Sequence, residues 1–257
     1  MSKELVRAKP PWASGPGEIL QHGVSLLQED SDKNRRLAML SIDNAVELMI
    51  KTYLGLPKRV TGLAISRAEY GEISDSFPRM LDALESHAAE KLESISLGEI
   101  EWYHRLRNEL YHQGNGLTVE REKVVVYAEL AQLLFERLFG FALQISKPRG
   151  SQLLGDFITA WSRLEQVLLQ VANKSANGSG TADHSRSSVR SDQFWSLSSE
   201  RLGMAPYTLP PNLVDDLQEL RHVRNQVVHG HPEVLLREHL TRLNLLSEQV
   251  ADAINTN

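Results

Sequence analysis

Cysteine is absent from this 257-residue chain. That excludes disulfides and thiolate metal sites and makes the cytoplasm the expected compartment. No segment alternates apolar and polar residues with a period of two, so no half-buried strand is expected. A basic excess is missing as well: 28 Lys and Arg face 33 Asp and Glu, a net charge of −5. Residues 1–147 hold 18 basic against 21 acidic residues, and residues 148–257 hold 10 against 12. Such a chain cannot coat itself in nucleic acid through general charge, so any RNA contact must be local or aided by a partner. The opening residues Met1 to Arg7 lack the apolar run of a signal peptide. The most apolar stretch, Leu130 to Ile145, is broken by Glu136 and Arg137, so no membrane span is expected.

What is present is helical periodicity. Residues 1–17, with Pro10-Pro11 and Gly15-Pro16-Gly17, read as an irregular arm, and a first helix is expected from Glu18 to Gln28. Lys33 to Leu54 reads as a long helix stopped by Gly55 and Pro57. Residues 55–76 look like a connection, and Phe77 to Leu92 and Leu97 to His112 like two more helices. Tyr127, Leu130, Ala131, Leu134, Leu138, Phe141, Ala142 and Ile145 form an apolar stripe that reads as core.

Lys147-Pro148-Arg149-Gly150 suggests a boundary, giving domains 18–147 and 148–257. In the second, Phe157 to Val171 is amphipathic, 173–190 is expected to be disordered, and Asp192 to Leu202 to be a short helix. Pro210-Pro211 introduces a helix with core residues Leu213, Leu217, Leu220 and Val227, and Pro232 is expected to start the last one. The fold class is all-α, as two tandem antiparallel helical bundles.

Two stretches share a pattern. Arg107-Asn108 is followed, after three intervening residues, by His112, and Arg224-Asn225 likewise by His229, with glycines at 114 and 230. The arginines are 224 − 107 = 117 positions apart. Glu47 precedes Arg107 by 60 positions and Glu165 precedes Arg224 by 59. Matching offsets on two features point to internal duplication. Asparagine and histidine at i, i+4 share a helix face, so Asn108 is expected to orient His112 and Asn225 to orient His229. The glycines place each histidine in a last helical turn, where the helix dipole favours a cation. An imidazole beside a permanent guanidinium suits a phosphate ester. Glu47 and Glu165 are expected to hold their own arginines.

On these residues, above all Leu220-Arg221-x-x-Arg224-Asn225-x-x-x-His229-Gly230 and the preceding Trp161-Ser162-Arg163-Leu164-Glu165, the chain resembles the HEPN superfamily. The resemblance covers about residues 18–147 and 151–255. It implies a metal-independent endoribonuclease whose site forms where two helical units pair, nominating Arg107, Asn108, His112, Arg224, Asn225 and His229. It also implies attack by the RNA 2′-hydroxyl, no cofactor, and a toxin or phage-defence setting with a neutralising or activating partner. If the units cannot pair within one chain, two chains must associate as a dimer. The family's other members imply an alternative, an inactive nucleotide-binding or protein-interaction module. Neither motif carries a tyrosine two residues after its histidine (Gly114 and His231 stand there), so regulation through such a tyrosine is not expected. His104, Arg105, Arg221, His222 and His231 flank the motifs and are expected to line an RNA path. No carboxylate or third histidine accompanies His229 and His231 at ligand spacing, so no metal site is expected there.

Overall fold

A computed structural model describes residues 10–92, 95–112, 118–145, 152–178 and 211–255. Among them every regular element is helical, as the missing period-two pattern requires. The α-helices are α1 (Pro11–Leu26), α2 (Asp32–Gly55), α3 (Lys58–Thr61), α4 (Arg67–Ser74), α5 (Phe77–His87), α6 (Leu97–His112) and α7 (Arg121–Phe139). They continue with α8 (Gln152–Gly178), α9 (Pro211–Val228) and α10 (Arg237–Asn255). None of the described helices is long and apolar enough to cross a membrane.

Several boundaries differ from the sequence reading, each for a local reason. The expected arm is largely helix: Pro11 occupies the first turn of α1, where its fixed φ helps and its missing N–H is not needed. Ala13, Leu20 and Val24 then bury against α2. The 55–76 connection contains α3 and α4. Ser66 caps α4 by accepting from the Glu69 amide while the Glu69 carboxylate returns to the Ser66 amide. The stripe traced to Ile145 overshoots, because α7 ends at Gly140, which adopts φ 77°. Residues 173–178, expected to be disordered, continue α8, while 179–190 and the expected 192–202 helix lie outside the described residues. Pro232 opens a short 3₁₀ turn, and α10 begins five residues later.

Helix α7 is the spine of the fold. Val124 to Ala131 is buried without a break, so this segment is enclosed on all sides, as a central helix is, and Glu129 is the charged residue within it. It packs against α1, α2 and α6 from the N-terminal half and α8 and α9 from the C-terminal half. The buried apolar side chains form one cluster running from Ala13 to Val250. In both halves the long helix carrying the noted glutamate packs on the helix that follows the motif: α2 on α7, and α8 on α10.

Candidate functional site

The first motif lies on α6. Arg107 is held chiefly by α2. Its Nε stands 2.8 Å from Asp43 Oδ2, an ion pair that falls short of an aligned hydrogen bond. Nη2 donates to Asn44 Oδ1 and Nη1 to Asn108 Oδ1, both at 2.8 Å. Asp43 is fully buried, and a buried carboxylate requires this density of partners. His104 Nδ1 lies 3.1 Å from both its oxygens, and the Tyr127 hydroxyl donates to Oδ1 at 2.8 Å. The His104 ring also stacks on Phe77, with centroids 3.8 Å apart.

One expectation is corrected here. Glu47 does not hold Arg107; it pairs with Lys51, 2.7 Å away on its own helix. Asp43, one helical turn earlier, takes that place. Asn108 receives Arg107 as its hydrogen-bond donor, so its carbonyl orients the arginine. His112 closes α6, and its side chain lies outside the described residues.

The second motif ends α9. Arg224 is buried, and both its Nη atoms reach one carboxylate, Glu99 on α6: Nη2 donates to Oε2 at 2.8 Å and Nη1 to Oε1. Nη1 also reaches Asn225 Oδ1 at 3.3 Å, repeating the arginine–asparagine contact of the first motif. Burial works against the charge of Arg224, yet the Glu99 and Glu165 carboxylates outweigh it and raise its pKa above the ordinary value. Glu165 is itself buried, as expected, and acts on both Arg224 and Arg221. Burial pulls Arg221 below its usual value against that attraction.

His229 is exposed at the end of α9, its ring edge-on to Trp102 of α6 with centroids 5.8 Å apart. The helix closes in a Schellman turn. The His231 amide donates to Gln226 O at 2.9 Å and the Gly230 amide to Val227 O at 3.1 Å, with Gly230 at φ 97°. The Val228 carbonyl, left open by the helix end, receives the Tyr103 hydroxyl at 2.7 Å.

The motif helices therefore touch, out of step. Glu99 to Arg224 and Tyr103 to Val228 are each separated by 125 positions, and chain direction rises together on α6 and α9. The two motifs are 117 positions apart, so the first sits 125 − 117 = 8 residues further along α6 than the point opposite the second. At 1.5 Å per residue this is about 12 Å. One guanidinium is turned to α2 and the other to α6, and they do not converge on a shared point.

Of the flanking residues, Arg105 is exposed and 3.8 Å from Glu101. His222 is exposed, and His231 is exposed beside Glu233 at 3.1 Å. Among the described residues no cluster of three or more His, Asp or Glu could hold a metal ion. Sequence reasoning missed Asp43, Asn44 and Glu99. Asp43 falls on the apolar face of α2 with Met39 and Val46, at i−4 and i+3, which is the signal that could have found it.

These features define an all-helical protein with two arginine–carboxylate clusters, one buried between its motif helices. No family model matches the chain, and no curated protein or solved structure matches it either. The likeness to HEPN proteins rests on the motif residues.

Proposed function

We propose that this protein is a metal-independent endoribonuclease of HEPN type, cutting at a site that joins the first motif of one chain to the second motif of another. The observation that carries the reading is His229: an exposed imidazole at the end of the helix whose Arg224 is held by Glu99 and in turn reaches Asn225. A proton-transfer group free to meet substrate, on a framework that cannot shift, is what such chemistry needs. The eight-residue stagger within one chain favours completion by a second copy.

In this reading the 2′-hydroxyl loses its proton to one imidazole as O2′ bonds to phosphorus. The P–O5′ bond breaks, and O5′ leaves with a proton from the other imidazole. The products are a 2′,3′-cyclic phosphate and a 5′-hydroxyl.

Incubation of the protein with mixed RNA in excess EDTA tests this. Cyclic-phosphate ends are expected, with a rate about 10²–10⁴-fold lower in His229→Ala. Arg107→Lys and His229→Ala chains, each impaired alone, are expected to regain cutting when mixed, because one site of the mixed pair is intact. Full activity in His229→Ala would sink the proposal.

One observation favours the second reading, a non-catalytic nucleotide-binding or protein-interaction module. Both Arg224 Nη atoms are committed to Glu99, which leaves that guanidinium fewer donors to stabilise charge at a reacting phosphorus, while Arg107 keeps donors for a bound phosphate. Nucleotide binding without cleavage of any RNA is the outcome that selects it.

A further inference from the structure

We infer that His104, held by Asp43, is the proton-transfer residue on the N-terminal side of the site, in place of His112. The inference deepens the ribonuclease reading and rests on it for the reaction, though not for the binding pocket.

A carboxylate only accepts hydrogen bonds, so the imidazole facing Asp43 carries its proton on Nδ1. In the neutral ring Nε2, the other nitrogen, carries the lone pair, and it has no hydrogen-bond partner among the described residues. Asp43 is sealed from solvent while the His104 side chain keeps 13% of its surface exposed, so only the histidine reaches outward. Phe77 fixes the ring plane by stacking on one face. This carboxylate–imidazole pair sets the tautomer and direction that a general base requires.

Arg107 shares the same carboxylate, with Nε 2.8 Å from the Oδ2 atom that His104 also faces. A guanidinium has five N–H groups. Nε is turned to Asp43, and one N–H on each Nη goes to Asn44 or Asn108. One N–H on each Nη is left over, and a guanidinium N–H is a strong donor to a phosphate oxygen. Imidazole and guanidinium thus stand one helical turn apart on α6, both braced by α2.

In the reaction His104 Nε2 takes the 2′-hydroxyl proton as O2′ bonds to phosphorus. The imidazolium of His229 from the second chain gives its proton to O5′ as the P–O5′ bond breaks, so one proton leaves the substrate and one returns.

The full chain, His104→Asn, His104→Ala and His112→Ala are compared on RNA in EDTA, with melting temperature as the folding control. His104→Asn places an amide N–H where Nδ1 stood, can still donate to Asp43, and is expected to melt near the wild type while cutting at least 100-fold more slowly. His112→Ala is expected to lose at least tenfold less. Added imidazole is expected to restore cutting to His104→Ala, a response that loss of structure alone does not give. Near-normal cutting by His104→Asn, or a larger loss in His112→Ala, overturns the assignment.

A second readout stands apart from cleavage: histidine ring resonances of the full chain are followed by NMR as uridine 3′-monophosphate is added. A shift at His104 that Arg107→Lys weakens supports the pocket, even if no RNA is cut and the ribonuclease reading falls. No shift at His104 removes the pocket itself.

Discussion

At the scale of single residues, the two arginines that look equivalent in sequence are held in different ways. Arg107 shares Asp43 with His104 and Tyr127 and keeps part of its donor set. Arg224 spends both Nη atoms on Glu99. Removing Glu99 would strand a buried guanidinium, and breaking such a pair costs about 3–5 kcal/mol. The Glu47–Lys51 pair is partly exposed and spans one helical turn, a setting worth only about 0.3–0.5 kcal/mol. Urea denaturation of Glu99→Ala and Glu47→Ala is therefore expected to separate them by several kcal/mol. Similar midpoints for the two variants would mean that Arg224 finds water or another carboxylate when Glu99 is gone.

At the scale of elements, the helix ends explain what the sequence disclosed and what it hid. α6 was legible to the residue, since glycine, proline and apolar spacing act within one segment. The ends of α9 and the burial of Leu213, Leu217, Leu220 and Val227 were legible for the same reason. The partners of the motif arginines were not. Asp43 lies 64 positions before Arg107 and Glu99 lies 125 before Arg224, so only tertiary packing selects them over Glu47. Gly230 joins both kinds of information, because its φ of 97° is required by the Schellman turn that sets His229 in place. A Cβ there would come within 2.3 Å of Lys123 Cε, whereas at Gly140, φ 77°, nothing lies within 4 Å. Backbone strain alone costs about 1–2 kcal/mol at either site. Gly230→Ala is expected to lose more stability than Gly140→Ala, and adding Lys123→Ala is expected to remove the excess. If the double variant is no better than Gly230→Ala, the difference lies in the turn and the lysine is irrelevant.

At the scale of the whole molecule, α7 binds the halves through one buried cluster, and a pair of tyrosines sits at the junction. Tyr103 and Tyr127 stack with centroids 4.7 Å apart, one bonded to the end of α9 and the other to Asp43 on α2. Burial pushes both hydroxyls well above the ordinary tyrosine value, with Glu99 beside Tyr103 and Asp43 beside Tyr127 adding to the shift. The unfolded chain releases these protons near pH 10, whereas the folded chain retains them. Above about pH 10 the unfolded state thus binds fewer protons, and stability must fall as pH rises. Because these hydroxyls tie α6 to α9 and α7 to α2, their ionisation is expected to loosen both halves together. Calorimetry from pH 8 to 11 is expected to show one transition, with equal calorimetric and van't Hoff enthalpies at pH 8 and a melting temperature that drops beyond pH 10. Tyrosinate absorbance should rise in two stages, the second coinciding with unfolding. Two separate melting transitions, only one of them sensitive to alkali, would show that the motif helices belong to independently folding bodies and that α7 is not a common spine.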